Sequence, residues 1–204
     1  KRVTNPGCWP QGFIALVRPL IEAGLLSPDV PLNYGGVSGY TGGGKKMIED
    51  YVAQCEVASE FTPYALSFNH KHLPEMKLYS GTKHDVLFQP VVGDFAQGML
   101  TTVPLFASQL KSGTTLAQLH DVIAAHHADA RFIEVAPLGS AEALNPEALT
   151  STNRMRLSLH GSDARGQFVL MANYDNLGKG ASGAAVQNLN IMMGADEAAS
   201  VDLI

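Results

Sequence analysis

A cysteine close to the start of this 204-residue sequence lies in a turn whose residue types favour chemistry. Cys8 follows Pro6 and Gly7, and Pro10 suits the first turn of a helix that we predict to follow. Free N–H groups at a helix start stabilise a thiolate, lower the pKa of the thiol and can bind an oxyanion formed on attack. The turn therefore predicts a reactive thiol, and a buried structural cysteine is the alternative interpretation.

A compact polar segment offers the partners that such a thiol needs. Residues 70–75, His-Lys-His-Leu-Pro-Glu, are called the histidine loop below and combine two histidines with a carboxylate. A nucleophilic cysteine needs a base or acid nearby and a third group that orients it. A solvated loop that happens to hold two histidines fits the same residues, and the spacing alone does not bring the segment to Cys8.

A glycine-rich segment, residues 38–45, follows a predicted strand and is called the glycine loop below. The spacing from Gly39 to Lys45 matches the first part of a nucleotide-binding P-loop, but Lys46 stands where that motif needs Ser or Thr. We therefore do not predict a nucleotide P-loop. Backbone N–H groups could still hold a phosphate or the substrate, with Ser38, Gly39 and Lys45 as candidate ligands, and a simple turn is the alternative.

Composition and charge narrow the classes of function. The chain is 46% hydrophobic and 16% charged, which is enough apolar residue to bury a core. A net charge of −5 without a basic tail argues against nucleic acid, and the absence of a long apolar run argues against a membrane span. The two cysteines, Cys8 and Cys55, fit a reducing compartment, and Cys55 is expected to be inert. The other histidines lack metal-ligand spacing with a cysteine, so no metal is expected.

The elements that must position these residues alternate between helical and extended patterns. Apolar periodicity predicts helices and strands that together form a mixed, largely antiparallel sheet covered by helices, which is an α+β fold. The predicted helices lie at 13–24, 46–53, 114–127 and 180–194, and the predicted strands at 30–37, 64–68, 86–92, 98–106, 131–135, 155–159 and 167–174.

Five motifs in a fixed order carry a family resemblance. They are Asn-Pro-Gly-Cys-Trp-Pro at 5–10, Val-Ser-Gly-Tyr-Thr-Gly-Gly-Gly-Lys at 37–45, the histidine loop, Gln-Gly-Met-Leu at 97–100 and Tyr-Asp-Asn-Leu-Gly-Lys-Gly at 174–180. Together they resemble the N-acetyl-γ-glutamyl-phosphate reductases of arginine biosynthesis, in the shorter bacterial variant. The resemblance implies the fold of the C-terminal catalytic domain of the glyceraldehyde-3-phosphate dehydrogenase superfamily.

The resemblance also implies a reaction and roles for individual residues. Cys8 would attack the acyl phosphate N-acetylglutamyl 5-phosphate, and hydride from NADPH would reduce the resulting thioester to N-acetylglutamate 5-semialdehyde. Histidine suits the accompanying proton transfer, so we expect His72 to be the acid–base group, with His70 as the alternative. Glu75 would orient the imidazole or bind substrate. Gln11 stands where the family has Thr, which puts a substrate contact at this position in doubt.

For the cofactor, the resemblance implies NADP(H), with Asn176 and Gly178 as contacts for its nicotinamide end. Residues 1–175 would form the catalytic and oligomerisation domain, and 176–204 a helix that packs on an NADP-binding domain. The sequence holds no strand followed by Gly-x-Gly-x-x-Gly, so we expect this domain to be absent from the chain. The protein would be a homodimer or homotetramer in the bacterial cytoplasm.

Three alternative functions remain open from the sequence. A paralogous reductase acting on an aminoadipate-type acyl phosphate would share every motif, although its acidic carrier protein would favour a basic rim. A cysteine hydrolase could use Cys8, His72 and Glu75 as a triad without a nicotinamide cofactor. The chain could also be a dimerisation and folding unit with no activity of its own. An aspartate-semialdehyde dehydrogenase is less well supported, because Gly7 stands where that family has Asn.

Overall fold

A computed structural model describes residues 2–54, 58–141 and 143–201, and within them the chain forms a seven-stranded sheet with five α-helices. The helices are α1 Cys8–Glu22, α2 Gly44–Val52, α3 Leu73–Ser80, α4 Leu116–His126 and α5 Gly183–Met193. The strands are β1 Asn33–Gly39, β2 Phe61–Pro63, β3 Leu87–Gly93, β4 Met99–Phe106, β5 Ile133–Val135, β6 Met155–Ser162 and β7 Gln167–Tyr174.

The strand order is β2-β3-β1-β4-β7-β6-β5. The pairs β1–β3 and β5–β6 are parallel, whereas β2–β3, β1–β4, β4–β7 and β6–β7 are antiparallel. The prediction of an α+β fold with a mixed, largely antiparallel sheet is therefore confirmed.

Helix α1 joins the sheet to the other helices. Its apolar face is fully buried through Phe13, Leu16, Val17 and Leu20, and it contacts α3, α4, β4 and β7. Each such side chain contributes roughly 1.5–3 kcal/mol through burial. Because this helix packs against the interior strands β4 and β7, the core fixes the position of its first turn.

The structure corrects the sequence prediction in two places near the site. Helix α1 begins at Cys8 itself, five residues before the apolar repeat that predicted it, so the cysteine lies in the helix rather than in a preceding turn. The strand predicted at 64–68 does not form, because Ala65 and Phe68 both have φ near 55°, in the left-handed region.

Near the chain end, a π-helical turn at Gly178–Ser182 precedes α5. Cys55, which was expected to be inert, lies outside the described residues. Across the described part of the chain, none of the helices is long and apolar enough to cross a membrane.

Candidate active site

A cavity of about 490 Å³ opens beside the first turn of α1. Cys8 lies in its wall, and the side chain is neither fully buried nor freely exposed. Residues from three predicted motifs line the same space, which brings together parts of the chain that are far apart in sequence. These include Ser38, Gly39, His70, His72, Asn176 and Gly180.

Two buried tyrosines fix the first turn of α1. The Tyr174 hydroxyl donates to the Cys8 carbonyl at 2.8 Å, and the Tyr34 hydroxyl donates to the Trp9 carbonyl at 2.7 Å. The Gly12 N–H in turn donates to the Tyr174 oxygen at 3.3 Å. The backbone that carries the thiol is therefore held from below by hydrogen bonds that solvent does not compete for.

Gly7, the N-cap of α1, is locked between two side chains of the histidine loop. Both carboxylate oxygens of Glu75 lie 3.2 Å from the Gly7 nitrogen and accept its N–H. The His72 ring occupies the space where a Cβ on Gly7 would stand, so any other residue here would require the ring or the turn to shift. The backbone before Cys8 is thus held against the start of α3 by a hydrogen bond and by packing of the His72 ring.

Of the two roles expected for Glu75, this geometry does not support the orientation of the imidazole. The carboxylate accepts the Gly7 N–H, and the structure shows no hydrogen bond between it and the His72 ring. The His72 Nδ1 is buried and has no hydrogen-bond partner among the described residues. A Cys8–His72–Glu75 triad is therefore not assembled, since its third member is engaged elsewhere.

Burial dominates the electrostatics of the thiol. It raises the pKa of Cys8, while the N–H groups of Cys8 and Trp9 and the charge of Lys71 act in the opposite direction without prevailing. The expectation of a thiol pKa lowered by the helix start is therefore wrong, because desolvation of the sulfur outweighs the N–H groups.

The two histidines are held neutral. Burial, followed by the neighbouring His70 and Lys71, lowers the pKa of His72 to about 4, and burial and Lys71 lower the pKa of His70. Their rings lie 4.7 Å apart, and the His72 N–H donates to His70 Nδ1 at 3.2 Å. At neutral pH these neutral rings can accept a proton, or donate one from a ring N–H, and burial makes the protonated form of each ring less favourable.

Three backbone N–H groups of the glycine loop are engaged within the fold. The N–H groups of Gly39, Tyr40 and Thr41 donate to carbonyls of residues 95–98, so they are not available to a phosphate. Lys45 lies on α2 with its side chain exposed, 3.7 Å from Glu49, and it does not line the cavity. The contribution of this loop to the cavity is the wall formed by Ser38, Gly39 and residues 41–44.

Of the three remaining residues predicted to contact substrate or cofactor, one lines the cavity that holds Cys8 and two do not. Asn176 lines the cavity, where its Oδ1 accepts the Gly98 N–H at 2.8 Å and its Nδ2 donates to Thr41 at 2.9 Å. Gln11 does not line it, and its Nε2 is buried without a partner among the described residues. Gly178 lines a separate cavity instead.

Several residues of the site carried no recognised signal in the sequence. Tyr174 opens the motif at 174–180, but no role was predicted for it. Tyr64, whose hydroxyl accepts from Trp9 Nε1 at 2.9 Å, lay in the predicted strand that does not form. Lys71 lines the cavity between the two histidines. Within residues 2–54, 58–141 and 143–201, no three His, Cys, Asp or Glu side chains group as metal ligands would.

Comparison with protein-family models decides the family. Residues 8–176 match the model described as the semialdehyde dehydrogenase dimerisation domain. The chain belongs to this family. The match begins at the cysteine of the cavity and ends at Asn176, so it spans both the sheet and the site.

Relatives of higher similarity refine the comparison. The chain is 54% identical over 199 residues to the N-acetyl-γ-glutamyl-phosphate reductase of Mesorhizobium japonicum, covering 95% of this chain and 65% of the relative. It is 54% identical to that of a Chelativorans species, covering 95% and 64%, and 47% identical to that of Burkholderia cenocepacia, covering 98% and 65%. The resemblance stated from the motifs is therefore confirmed, and the chain spans slightly less than two thirds of the length of these relatives.

Solved structures agree on the fold. The aspartate semialdehyde dehydrogenase II of Vibrio cholerae aligns with a TM-score of 0.71 at 15% identity, covering 94% of this chain and 62% of that one. The enzyme from Francisella tularensis aligns with a TM-score of 0.69 at 13% identity, covering 92% and 64%. At such low identity these likenesses establish the fold alone.

Proposed function

We propose that this chain carries the catalytic centre of a reductase that converts N-acetylglutamyl 5-phosphate to N-acetylglutamate 5-semialdehyde and phosphate with NADPH, in arginine biosynthesis. The observation that carries the proposal is the partly buried Cys8 in the cavity wall, beside two neutral histidines. It occurs in a chain about half identical to reductases of that name.

The first step is acyl transfer to the sulfur. The Cys8 thiol loses its proton to a neutral acceptor, and His72 is the one that packs directly against the cysteine turn. The thiolate then forms a bond to the acyl carbon, the bond from that carbon to the phosphate oxygen breaks, and phosphate leaves with the electron pair. The product is a thioester on Cys8.

The second step is reduction of this thioester. NADPH, when bound, supplies the hydride. The oxyanion on the former carbonyl oxygen takes up a proton, for which the ring nitrogens of His72 and, as the alternative, His70 are the available groups. The same proton is removed again when the C–S bond breaks, and the aldehyde and the Cys8 thiolate are released.

The residues present fit one end of the cofactor. Asn176 is almost fully buried at the cavity wall, and after its two hydrogen bonds it keeps one N–H and one lone pair for a carboxamide such as that of nicotinamide. Gly180 keeps the wall open, because a Cβ there would lie 3.0 Å from the Cβ of Cys8. Asn176 would hold the nicotinamide, whereas Gly178 lies apart from this cavity and is a contact only for a cofactor that extends beyond it.

The assembly follows from the same proposal. Residues 1–175 would be the catalytic and oligomerising body, and the protein would form a homodimer or homotetramer in the bacterial cytoplasm. Residues 176–204 would pack on an NADP-binding domain, because α5 exposes a set of large apolar side chains that such a domain would cover. They are Leu189, Ile191, Met192 and Met193.

The test is an assay of the full-length protein, including its nucleotide-binding part, with N-acetylglutamyl 5-phosphate and NADPH. We expect one aldehyde and one phosphate for each NADPH oxidised, and a loss of at least about 10³-fold in kcat for Cys8→Ser. Phosphate release at the same rate without NADPH would support a hydrolase instead. Full activity of Cys8→Ser would remove the nucleophile, and a preference for an aminoadipate-type acyl phosphate would change the substrate.

A further inference from the structure

Among the described residues that line the catalytic cavity, Lys71 is the one Lys, Arg, Asp or Glu. No ion pair in the described part of the chain uses its ammonium group; the nearby Glu75 carboxylate is engaged by the Gly7 N–H instead. The chain as a whole carries a net charge of −5. An uncompensated cation in the cavity of an acidic protein is suited to an anionic ligand.

The position of Lys71 within the cavity narrows the choice of anion. It lies between His70 and His72, and its charge acts on the Cys8 thiol and on both imidazoles. The anionic group of an acyl phosphate that comes nearest to the attacking sulfur is the phosphate, because it is bonded to the carbon under attack. The carboxylate of the same substrate lies at the far end of its carbon chain.

We propose that Lys71 binds the phosphate group of the acyl phosphate and stays with it as it leaves, an inference that rests on the proposed function. Lysine suits this task as a compact cation with three donors and no geometric demand on the oxygen that it meets. In the reverse direction the same ammonium holds inorganic phosphate for attack on the Cys8 thioester. In this proposal Lys71, and not Lys45, is the lysine that holds the phosphate.

Kinetics in the reverse direction separate the two anionic groups of the substrate. In full-length enzyme supplied with aldehyde, NADP⁺ and inorganic phosphate, Lys71→Met should raise KM for phosphate about tenfold and leave KM for the aldehyde unchanged. Lys71→Arg should restore most of the phosphate affinity. Lys83→Met, which removes an exposed lysine paired with Asp29 at 2.8 Å, is the matched control.

Three kinetic outcomes would overturn the proposal. One is an unchanged KM for phosphate in Lys71→Met. Another is a rise in KM for the aldehyde instead, which would place the lysine at the substrate carboxylate. The third is a rise in KM for phosphate in Lys45→Met with none in Lys71→Met, which would return the phosphate to the glycine loop.

A second readout does not depend on reductase activity. Inorganic phosphate should slow the alkylation of Cys8 by iodoacetamide, measured on the Cys8 peptide by mass spectrometry, in the wild type and in Lys71→Arg but not in Lys71→Met. Chloride at equal ionic strength is the control for general screening. Equal protection in all three proteins would refute the Lys71 site. Protection by phosphate in a protein without reductase activity would keep the site and reject only the proposed function.

Discussion

The histidine loop and the glycine loop border the same cavity, but they contribute to it in opposite ways. In the histidine loop, side chains converge on the cysteine turn: Glu75 accepts the Gly7 N–H and the His72 ring packs on the Gly7 Cα. In the glycine loop, the backbone N–H groups of Gly39 and Tyr40 donate to carbonyls of residues 95 and 98. The Lys45 side chain is exposed and does not line the cavity.

The two loops show that a glycine can allow close packing either of another backbone segment or of a side chain. At Gly39 a Cβ would lie 2.5 Å from the carbonyl oxygen of Ala96, so the missing side chain lets two loops join. At Gly7 the missing side chain admits an imidazole. Gly39 therefore lets two loops pack into the cavity wall, whereas Gly7 lets the His72 ring approach the cysteine turn. We expect substitutions at Gly7 to lower kcat more than substitutions in the glycine loop.

The largest effect should come from Gly7→Ala. The added methyl group overlaps the His72 ring, so the ring and the cysteine turn must separate. Displacement of reacting groups by about 1 Å can cost on the order of 10²-fold in rate, and we expect a fall in kcat of that size in the full-length enzyme. Steady-state kinetics with NADPH oxidation as the signal measures it.

Gly42→Ala is the matched control in the glycine loop, because a Cβ at Gly42 meets only ordinary contacts at 3.4 and 3.5 Å, with Ser38 and Asn176. Its kcat should stay within a few-fold of the wild type. Equal losses in the two variants would remove the distinction between the loops.

A smaller effect is expected from the carboxylate that holds Gly7. Glu75→Ala leaves a partly buried N–H without an acceptor and should lower the free energy of unfolding by about 1 kcal/mol. Glu75→Gln keeps an acceptor oxygen and should lose less. Urea denaturation of each variant measures the loss, and a Gln variant as unstable as the Ala variant would show that the hydrogen bond is not what stabilises the turn.

The smallest effect concerns acid stability. Because burial lowers the pKa of His72 from its ordinary value near 6.5 to about 4, the unfolded chain binds the proton more readily than the folded one. This stabilisation is complete above about pH 6.5 and is lost as the pH falls toward 4. For a half-buried ring it amounts to about 1 kcal/mol or less between pH 7 and pH 5.

His72→Gln should therefore lose less stability than the wild type between pH 7 and pH 5, as followed by Tm. His84→Gln, at an exposed histidine outside the site, should behave like the wild type. The same acid sensitivity in His72→Gln as in the wild type would mean that the ring is not desolvated.

Much of the fold follows from local patterns. The alternation of Met155, Leu157 and Leu159 predicts β6, and the apolar repeat after Thr115 predicts α4, whose N-cap Thr115 accepts the Gln118 N–H. The motifs also named Cys8 and the histidine loop, and the fold brings Cys8, His70 and His72 to one cavity. Strand β6, helix α4 and the site motifs can be predicted because each is a property of a short segment and does not depend on tertiary contacts.

What the sequence did not show depends on contacts between distant segments. The pKa of Cys8 is set by how deeply the first turn of α1 is buried, and no motif reports that depth. The role of Glu75 depends on its contact with the Gly7 N–H, and the role proposed for Lys71 depends on its having no carboxylate partner in the described residues. Tyr174 reaches the Cys8 carbonyl only because β7 runs beneath α1.

The central claim is that Cys8 becomes acylated by the acyl phosphate, and mass spectrometry of the acylated protein tests it most directly. Full-length enzyme mixed with N-acetylglutamyl 5-phosphate in the absence of NADPH should gain the mass of one N-acetylglutamyl group, located on the Cys8 peptide and removed by hydroxylamine. Cys8→Ala should gain nothing. An adduct on another residue, or turnover in which no Cys8 adduct forms on rapid quenching, would contradict the account.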